Sequence, residues 1–177
     1  MNAFTKQTLP EHDVSDLVGL RVIVKDAAIK SIDGEGEETI EIPHLSTLSA
    51  AAAVTRCLMP IRLRGAELRA IRRIAGMTAA EMAKRMGDKT SPETLSRWEN
   101  DKQPMGGYAE KVFRLVVCEE LKAQAPGVAY GDGAIARLNV LDPWRADPAY
   151  VVPPIVAGLV KIKSLGSPLV DAWADAA

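Results

Sequence analysis

Apolar positions recur at helical spacing most clearly in the middle of the chain. Over residues 65–75, Leu68, Ile71, Ile74 and Ala75 form one stripe, with Arg69, Arg72 and Arg73 off it. Gly76 follows as a natural C-cap. The next helix opens at Thr78, three residues before Glu81, which is the T-x-x-E pattern of a capping box. Met82, Ala83 and Met86 are its inward positions, and Gly87 ends it. A third helix starts at Ser91-Pro92, a cap followed by a residue suited to the first turn. Its Leu95 and Trp98 share one face, expected to close over Ala83 and Met86, while Glu93, Thr94, Ser96 and Arg97 lie on the other. A fourth helix is expected over residues 108–122, with Val112, Leu115, Val116 and Glu119 as its stripe and Phe113 beside them.

On either side of this unit the pattern changes. Residues 45–58 form an Ala-rich segment expected to be helical, with Ser46 or Thr47 near its start and Pro60 ending it. Residues 20–25 contain the β-branched run Val22-Ile23-Val24 and predict a strand; residues 39–42 alternate and predict a second. Asp33-Gly34-Glu35-Gly36 is a turn signal between them, so a small hairpin or meander is expected. Residues 1–16 read as a loose polar lead-in. Beyond Ala125 the pairs Pro126-Gly127, Asp142-Pro143, Asp147-Pro148 and Pro153-Pro154 predict short elements and loops, with residues 155–162 a candidate strand. The expected fold is mainly α: a helix-turn-helix bundle of four to five helices, with a small N-terminal β element and an irregular C-terminal region. The expected parts are 1–43, 44–122 and 123–177.

Net charge is −1, which by itself argues against nonspecific nucleic-acid binding. The distribution says more. Residues 1–61 hold 5 basic and 9 acidic residues, and residues 62–122 hold 13 basic and 9 acidic, so the excess positive charge sits on the helical unit. That is where a phosphate-contacting module needs it, although a solvated mixed-charge face would look similar. Cys57 and Cys118 stand far apart, outside any CxxC pair, and are expected to be reduced and partly buried; His12 and His44 are isolated. No metal and no cofactor is expected. The N-terminus lacks an apolar signal core and no apolar run is long enough for a membrane span, so a soluble cytoplasmic protein is expected.

Three segments together resemble a known family: residues 66–73 (AELRAIRR), residues 77–83 (MTAAEMA) and residues 94–100 (TLSRWEN). They look like the Cro/C1 (XRE) helix-turn-helix regulators, and within them the MqsA-type antitoxin-like proteins, over about residues 43–122. The turn at Asp88-Lys89-Thr90 is longer than the family's usual one. Asp101 stands where relatives have Gly, and Ala79 where they often have a phosphate-touching Gln. The zinc-binding cysteine pairs of true MqsA N-terminal halves are absent.

The resemblance implies that the third helix lies in a DNA major groove. By position, Ser91, Glu93, Thr94 and Arg97 are then expected at or near base edges, with Arg97 bidentate to guanine. Lys84, Lys89 and Lys102 are expected on phosphates. Arg97 could instead pair internally with Glu93, four residues earlier. Glu99 is expected to be structural, pairing with a basic residue of the first helix or capping a backbone group. Small repressors of this kind bind as twofold dimers, so the expected partners are double-stranded operator DNA and a second copy of the chain. The second copy would dock through the 108–122 helix or the terminal regions. The functional expectation is a sequence-specific transcriptional regulator, a repressor by preference, without catalysis. The alternative is an antitoxin that also binds a toxin protein. Gly131-Asp132-Gly133-Ala134-Ile135-Ala136 matches G-x-G-x-x-A, but lacks a preceding strand and βαβ context, so a turn is the better reading than a dinucleotide site.

Overall fold

The computed structural model describes residues 5–163 and 168–177. In chain order its elements are β1 (Thr5–Thr8), β2 (Glu11–Asp13), α1 (Ser15–Val18), β3 (Val22–Lys25), β4 (Ile29–Ile32), β5 (Glu38–Glu41), α2 (Leu45–Leu58), α3 (Gly65–Ile74), α4 (Ala79–Met86), α5 (Pro92–Glu99), α6 (Gly107–Leu121), β6 (Ile155–Lys163) and β7 (Leu169–Asp175). Among the described residues the strands form two sheets, one of order β1-β4-β5 and one of order β2-β3-β6-β7. The expectation of a mainly α fold with an irregular C-terminal region is therefore overturned: the fold is mixed, and the C-terminal residues build half of the larger sheet.

The larger sheet joins the two ends of the chain. β3 and β6 run parallel, Val22 opposite Ile155 and Lys25 opposite Gly158, while β2–β3 and β6–β7 are antiparallel. A parallel pair needs a crossover connection; here the crossover contains β4, β5 and all of α2–α6. Val22, Val24, Ile155, Ala157, Ala172 and Trp173 are buried from this sheet. The Trp173 indole N–H donates to the carbonyl of His44 at 3.3 Å, tying β7 to the start of α2. The helix N-cap is His44, in the left-handed region at φ 50°, and Ser46 and Thr47 lie in the first turn, near the start as expected.

The N-terminal expectations are partly corrected as well. Residues 5–13 are not a loose lead-in but contain β1 and β2; residues 1–4 of that expectation lie outside the described residues. The predicted strands β3 and β5 exist, but they belong to different sheets. The Asp33–Gly36 turn instead connects β4 to β5, with Ile32 opposite Glu38, and the Asp33 carboxylate accepts from the amides of Glu35 and Glu37 at 2.9 Å. β4 was missed because Lys30-Ser31 interrupts its apolar pattern.

At the centre of the molecule lies α2. Ala50, Ala51, Ala52, Ala53 and Val54 are all buried, so the middle of the helix is enclosed on every side while the start of its first turn stays exposed. It packs on α3 and α6 on one side and on β6 and β7 on the other. Small side chains let both layers come close.

The segment after α2 has no helix or strand to satisfy its backbone. Two buried arginines do so instead. Arg114 of α6 donates to the carbonyls of Cys57 (2.7 Å), Met59 (2.8 Å) and Ile61 (2.6 Å), and pairs with Glu110 at 2.7 Å. Arg56 donates to the carbonyls of Ile61 (2.9 Å) and Arg62 (2.8 Å) and pairs with Glu67 of α3 at 2.6 Å. Glu110 also accepts from the Leu63 amide at 2.9 Å. This network corrects the expected face of α6 in part, since Val116 and Phe113 are buried as expected. Glu110, Phe113, Arg114, Val117 and Leu121 point inward, while Leu115 and Glu119 are exposed. Both faces have helical spacing; the buried one was hidden because two of its members are charged.

Replacing Arg114 with Met should leave Glu110 buried without its close ion-pair partner and remove the Arg114 donors of the Cys57 and Met59 carbonyls, while Ile61 keeps Arg56. We expect a loss of roughly 3–5 kcal/mol, the cost of breaking a buried pair, in urea denaturation followed by circular dichroism. A loss below 1 kcal/mol would show that water replaces the guanidinium at no cost.

Candidate nucleic-acid interface

The three helices α3–α5 form a tight unit whose ends are set by local chemistry. Thr78 accepts from the Glu81 amide at 3.2 Å, and Glu81 accepts from the Thr78 amide at 2.7 Å, closing the reciprocal box at the start of α4. Gly87, at φ 107°, terminates α4. Ser91 accepts from the Thr94 amide at 3.1 Å, and Pro92 occupies the first turn of α5. Two carboxyl groups at these starts are held below the ordinary carboxylate range. Glu81 is lowered by the Thr78 amide first and its hydroxyl second. Glu93 is lowered by its own backbone amide, then by Ser91, and last by the charge of Arg97.

Packing then fixes α5. Leu95 and Trp98 are buried, as are Leu68, Ile71, Met82 and Ala83, and α5 packs on both α3 and α4. Met86 is half-buried beside this core. Glu99 is also buried; it takes Arg72 of α3 in a two-pronged pair at 2.5 and 2.9 Å. This is the structural role expected for it. Arg72 further donates to the Met77 carbonyl at 2.8 Å, so one side chain links α3, the turn before α4, and the end of α5.

A feature missed by the sequence reading is Gly65. A Cβ there would stand 2.7 Å from the Glu99 carbonyl and 2.9 Å from the Asp101 carboxyl group. Its amide donates to Asp101 at 3.1 Å. The start of α3 therefore touches the end of α5 directly, a contact only a glycine permits. Sequence alone shows a glycine at a helix start, which is common enough to carry no such message.

The outer face of α5 is left open. Glu93, Ser96 and Arg97 are exposed. Ser91 and Thr94 are half-buried, and their hydroxyls share a hydrogen bond at 3.1 Å, so both are partly engaged in starting the helix. Arg97 makes no ion pair with Glu93 among the described residues, only a long-range effect on its acidity. Lys89 is exposed in the 87–91 turn, and Lys102 is exposed just past α5, where its amide donates to the Arg97 carbonyl at 2.9 Å. Lys84 opens onto a separate concavity on α4, shared with Met77, Glu81, Arg85 and Glu120. Thus Ser91, Glu93, Thr94 and Arg97 share α5 and its start, Lys89 and Lys102 flank its two ends, and Lys84 stands apart. Arg73, exposed on α3, is a further cation that the sequence reading did not select.

Arg69 is not available in the same way. It donates to the Asn100 side chain and lies 3.7 Å from Glu99. The interior arginines are committed to carboxylates, whereas Arg73, Lys84, Lys89, Arg97 and Lys102 form no ion pair among the described residues.

Compared with known proteins, residues 68–115 match the helix-turn-helix family model, of the Cro/C1 (XRE) type. The match covers α4, α5 and most of α3 and α6, and it marks this segment as a unit of the kind used by DNA-binding regulators. It does not extend to the likeness with MqsA-type proteins. No curated protein and no solved structure matches the chain. No described helix is long and apolar enough to cross a membrane.

Two measurements test this geometry. Gly65→Ala should force the α3–α5 contact apart and destabilise the protein by about 1–3 kcal/mol, as overpacking does; an unchanged urea midpoint would mean the helices separate freely. Because the carboxyl groups of Glu81 and Glu93 ionise below the ordinary carboxylate range in the folded protein, their caps stabilise it at and above that range. That contribution is lost as pH falls through and below this range. Stability in urea should decline on acidification, and Glu81→Gln should make the decline shallower; an identical pH profile for the variant would remove Glu81 from the account.

Proposed function

We propose that this chain is a transcriptional regulator, acting as a repressor, that binds operator DNA as a homodimer with α5 in the major groove. The observation that supports it most is the two-sided construction of α5. Leu95, Trp98 and Glu99 hold it against α3 and α4, and Glu93, Ser96 and Arg97 remain exposed. A short helix buried on one face with polar side chains on the other is the shape that reads base edges. In this reading Arg97 takes a guanine, with Glu93, Ser91 and Thr94 at or near the neighbouring base edges. Lys89 and Lys102 take phosphates at the two ends of α5, and Lys84 takes one at the side. The unit needs no cofactor or metal for this work, and it performs no catalysis.

A monomer would read only one half-site, with recognition helices in a dimer spaced about 34 Å apart. The terminal hairpin β6–β7 suits pairing with a second copy better than α6 does. β7 is an edge strand, and Val160, Leu169 and Val170 near the outer end of the hairpin are exposed. A toxin partner is not required by this reading, and no feature of the described surface favours one.

Gel-shift titration of the DNA upstream of its own coding sequence against random duplex, at two salt concentrations, tests the proposal. Arg97→Ala should lose roughly 1–3 kcal/mol of discrimination between the two, and Lys102→Ala should weaken both equally and flatten the salt dependence. Equal effects of both variants on both duplexes would contradict the contact assignment. Absence of salt-sensitive binding to any duplex would sink the functional reading itself.

A further inference from the structure

The fold brings together two cysteines that the sequence keeps far apart. Cys57 lies near the end of α2 and Cys118 near the end of α6, both buried and both free thiols. Across the α2–α6 contact each thiol lies close enough to alter the other's acidity, and Arg114, one turn before Cys118, donates to the Cys57 carbonyl at 2.7 Å. They are not equivalent. Cys57 is enclosed completely, whereas Cys118 lines a cavity of about 240 Å³ roofed by Tyr130–Ile135. The roof is latched to the helix, since the Tyr130 hydroxyl donates to the Cys118 carbonyl at 3.2 Å.

We propose that Cys57 and Cys118 form a reversible dithiol–disulfide site, oxidised by hydroperoxides that reach Cys118 through this cavity, with Cys57 as the resolving thiol behind it. The environment divides the roles. The Cys57 thiol and the Arg114 charge hold Cys118 below the ordinary thiol value against the opposing effect of burial. The neighbouring Cys118 thiol and burial push Cys57 well above it. Cys118 is therefore the better nucleophile and Cys57 keeps its proton until the second step.

In the first step the Cys118 thiolate attacks the O–O bond of hydrogen peroxide. The sulfur becomes a sulfenic acid, and the leaving hydroxide takes a proton to become water. In the second step Cys57 sulfur attacks Cys118 sulfur, its proton leaves with the displaced hydroxide as a second water, and the S–S bond forms. Two thiols and one peroxide give one disulfide and two waters. Closing the pair to a bond of about 2.05 Å draws the ends of α2 and α6 together. The cross-link would enclose every residue from Leu58 to Val117, which includes α3, α4 and α5. It would also sit beside Glu119 and Glu120, which hold Arg85 of α4 at 3.2 and 3.0 Å. The site depends on the fold alone and stands whether or not the chain binds DNA.

The reduced full-length protein, treated with one equivalent of hydrogen peroxide, should lose both titratable thiols and two hydrogen masses. It should remain a single chain on a non-reducing gel and regain both thiols with dithiothreitol. In Cys57→Ser, dimedone should trap a sulfenic acid on Cys118; in Cys118→Ser, it should find none on Cys57. The wild-type mass measurement stands even if a variant fails to fold. Oxygen added without loss of the two hydrogens, chains cross-linked in pairs, or thiols that persist through the treatment would each overturn the proposal. Trapping on Cys57 in Cys118→Ser would overturn the order of attack.

Discussion

The arrangement of this protein hangs on two buried guanidinium groups. Arg56 and Arg114 between them satisfy the carbonyls of Cys57, Met59, Ile61 and Arg62, where the chain leaves α2 and turns toward α3. Buried carbonyls without partners are costly, and an irregular segment in the interior cannot satisfy them from its own ladder. Arginine suits the task because its planar fork carries five donors in fixed directions. Each arginine also needs a carboxylate, and those carboxylates sit on α3 and α6. The same network therefore neutralises the buried charge and sets the relative placement of α2, α3 and α6.

A second layer of the same logic sets α5. Arg72 and Glu99 join the first and third helices of the helix-turn-helix unit, and Gly65 lets their ends meet. With those side chains turned inward, the surface that remains on α5 is polar and uncommitted. The basic residues of the central segment are thereby divided into two groups. One group is consumed in internal pairs and holds the unit rigid. The other stays exposed, and only that group is available to a polyanion. The local excess of positive charge counted from sequence mixes the two, and the division follows from burial.

The sheet is the least local feature of the fold. β3 and β6 pair in parallel although all five helices from α2 to α6 lie between them in sequence. This brackets the helical unit between the chain's two ends and leaves α2, lined with alanines, as the layer both sides share. Trp173, almost wholly buried, closes the last strand onto the helix start at His44. The proposed cysteine pair lies on the opposite side of α2, where it meets α6, so the central helix contacts each of the features that hold the molecule together.

What sequence determined by itself was the helical unit. Its signals are local: the stripe of Leu68 and Ile71, the capping box at Thr78, the Ser91-Pro92 start, and the Leu95–Trp98 spacing each involve residues within a turn or two of one another. Local hydrogen bonds and local periodicity are written directly in residue order. The strand at 155–162 was legible for the same reason, whereas the pairing of Glu99 with the first helix spans 27 residues and stood in the sequence only as one of two structural roles. The tertiary structure alone decided the rest. The sheet partners of β3, the strands in residues 5–13 and 169–175, the inward turn of Glu110 and Arg114, the glycine-only contact at Gly65, and the meeting of Cys57 with Cys118 all depend on residues distant in sequence. A charged side chain is soluble by itself and buried only when a distant partner compensates it, so no pattern of polar and apolar positions could reveal where these would go.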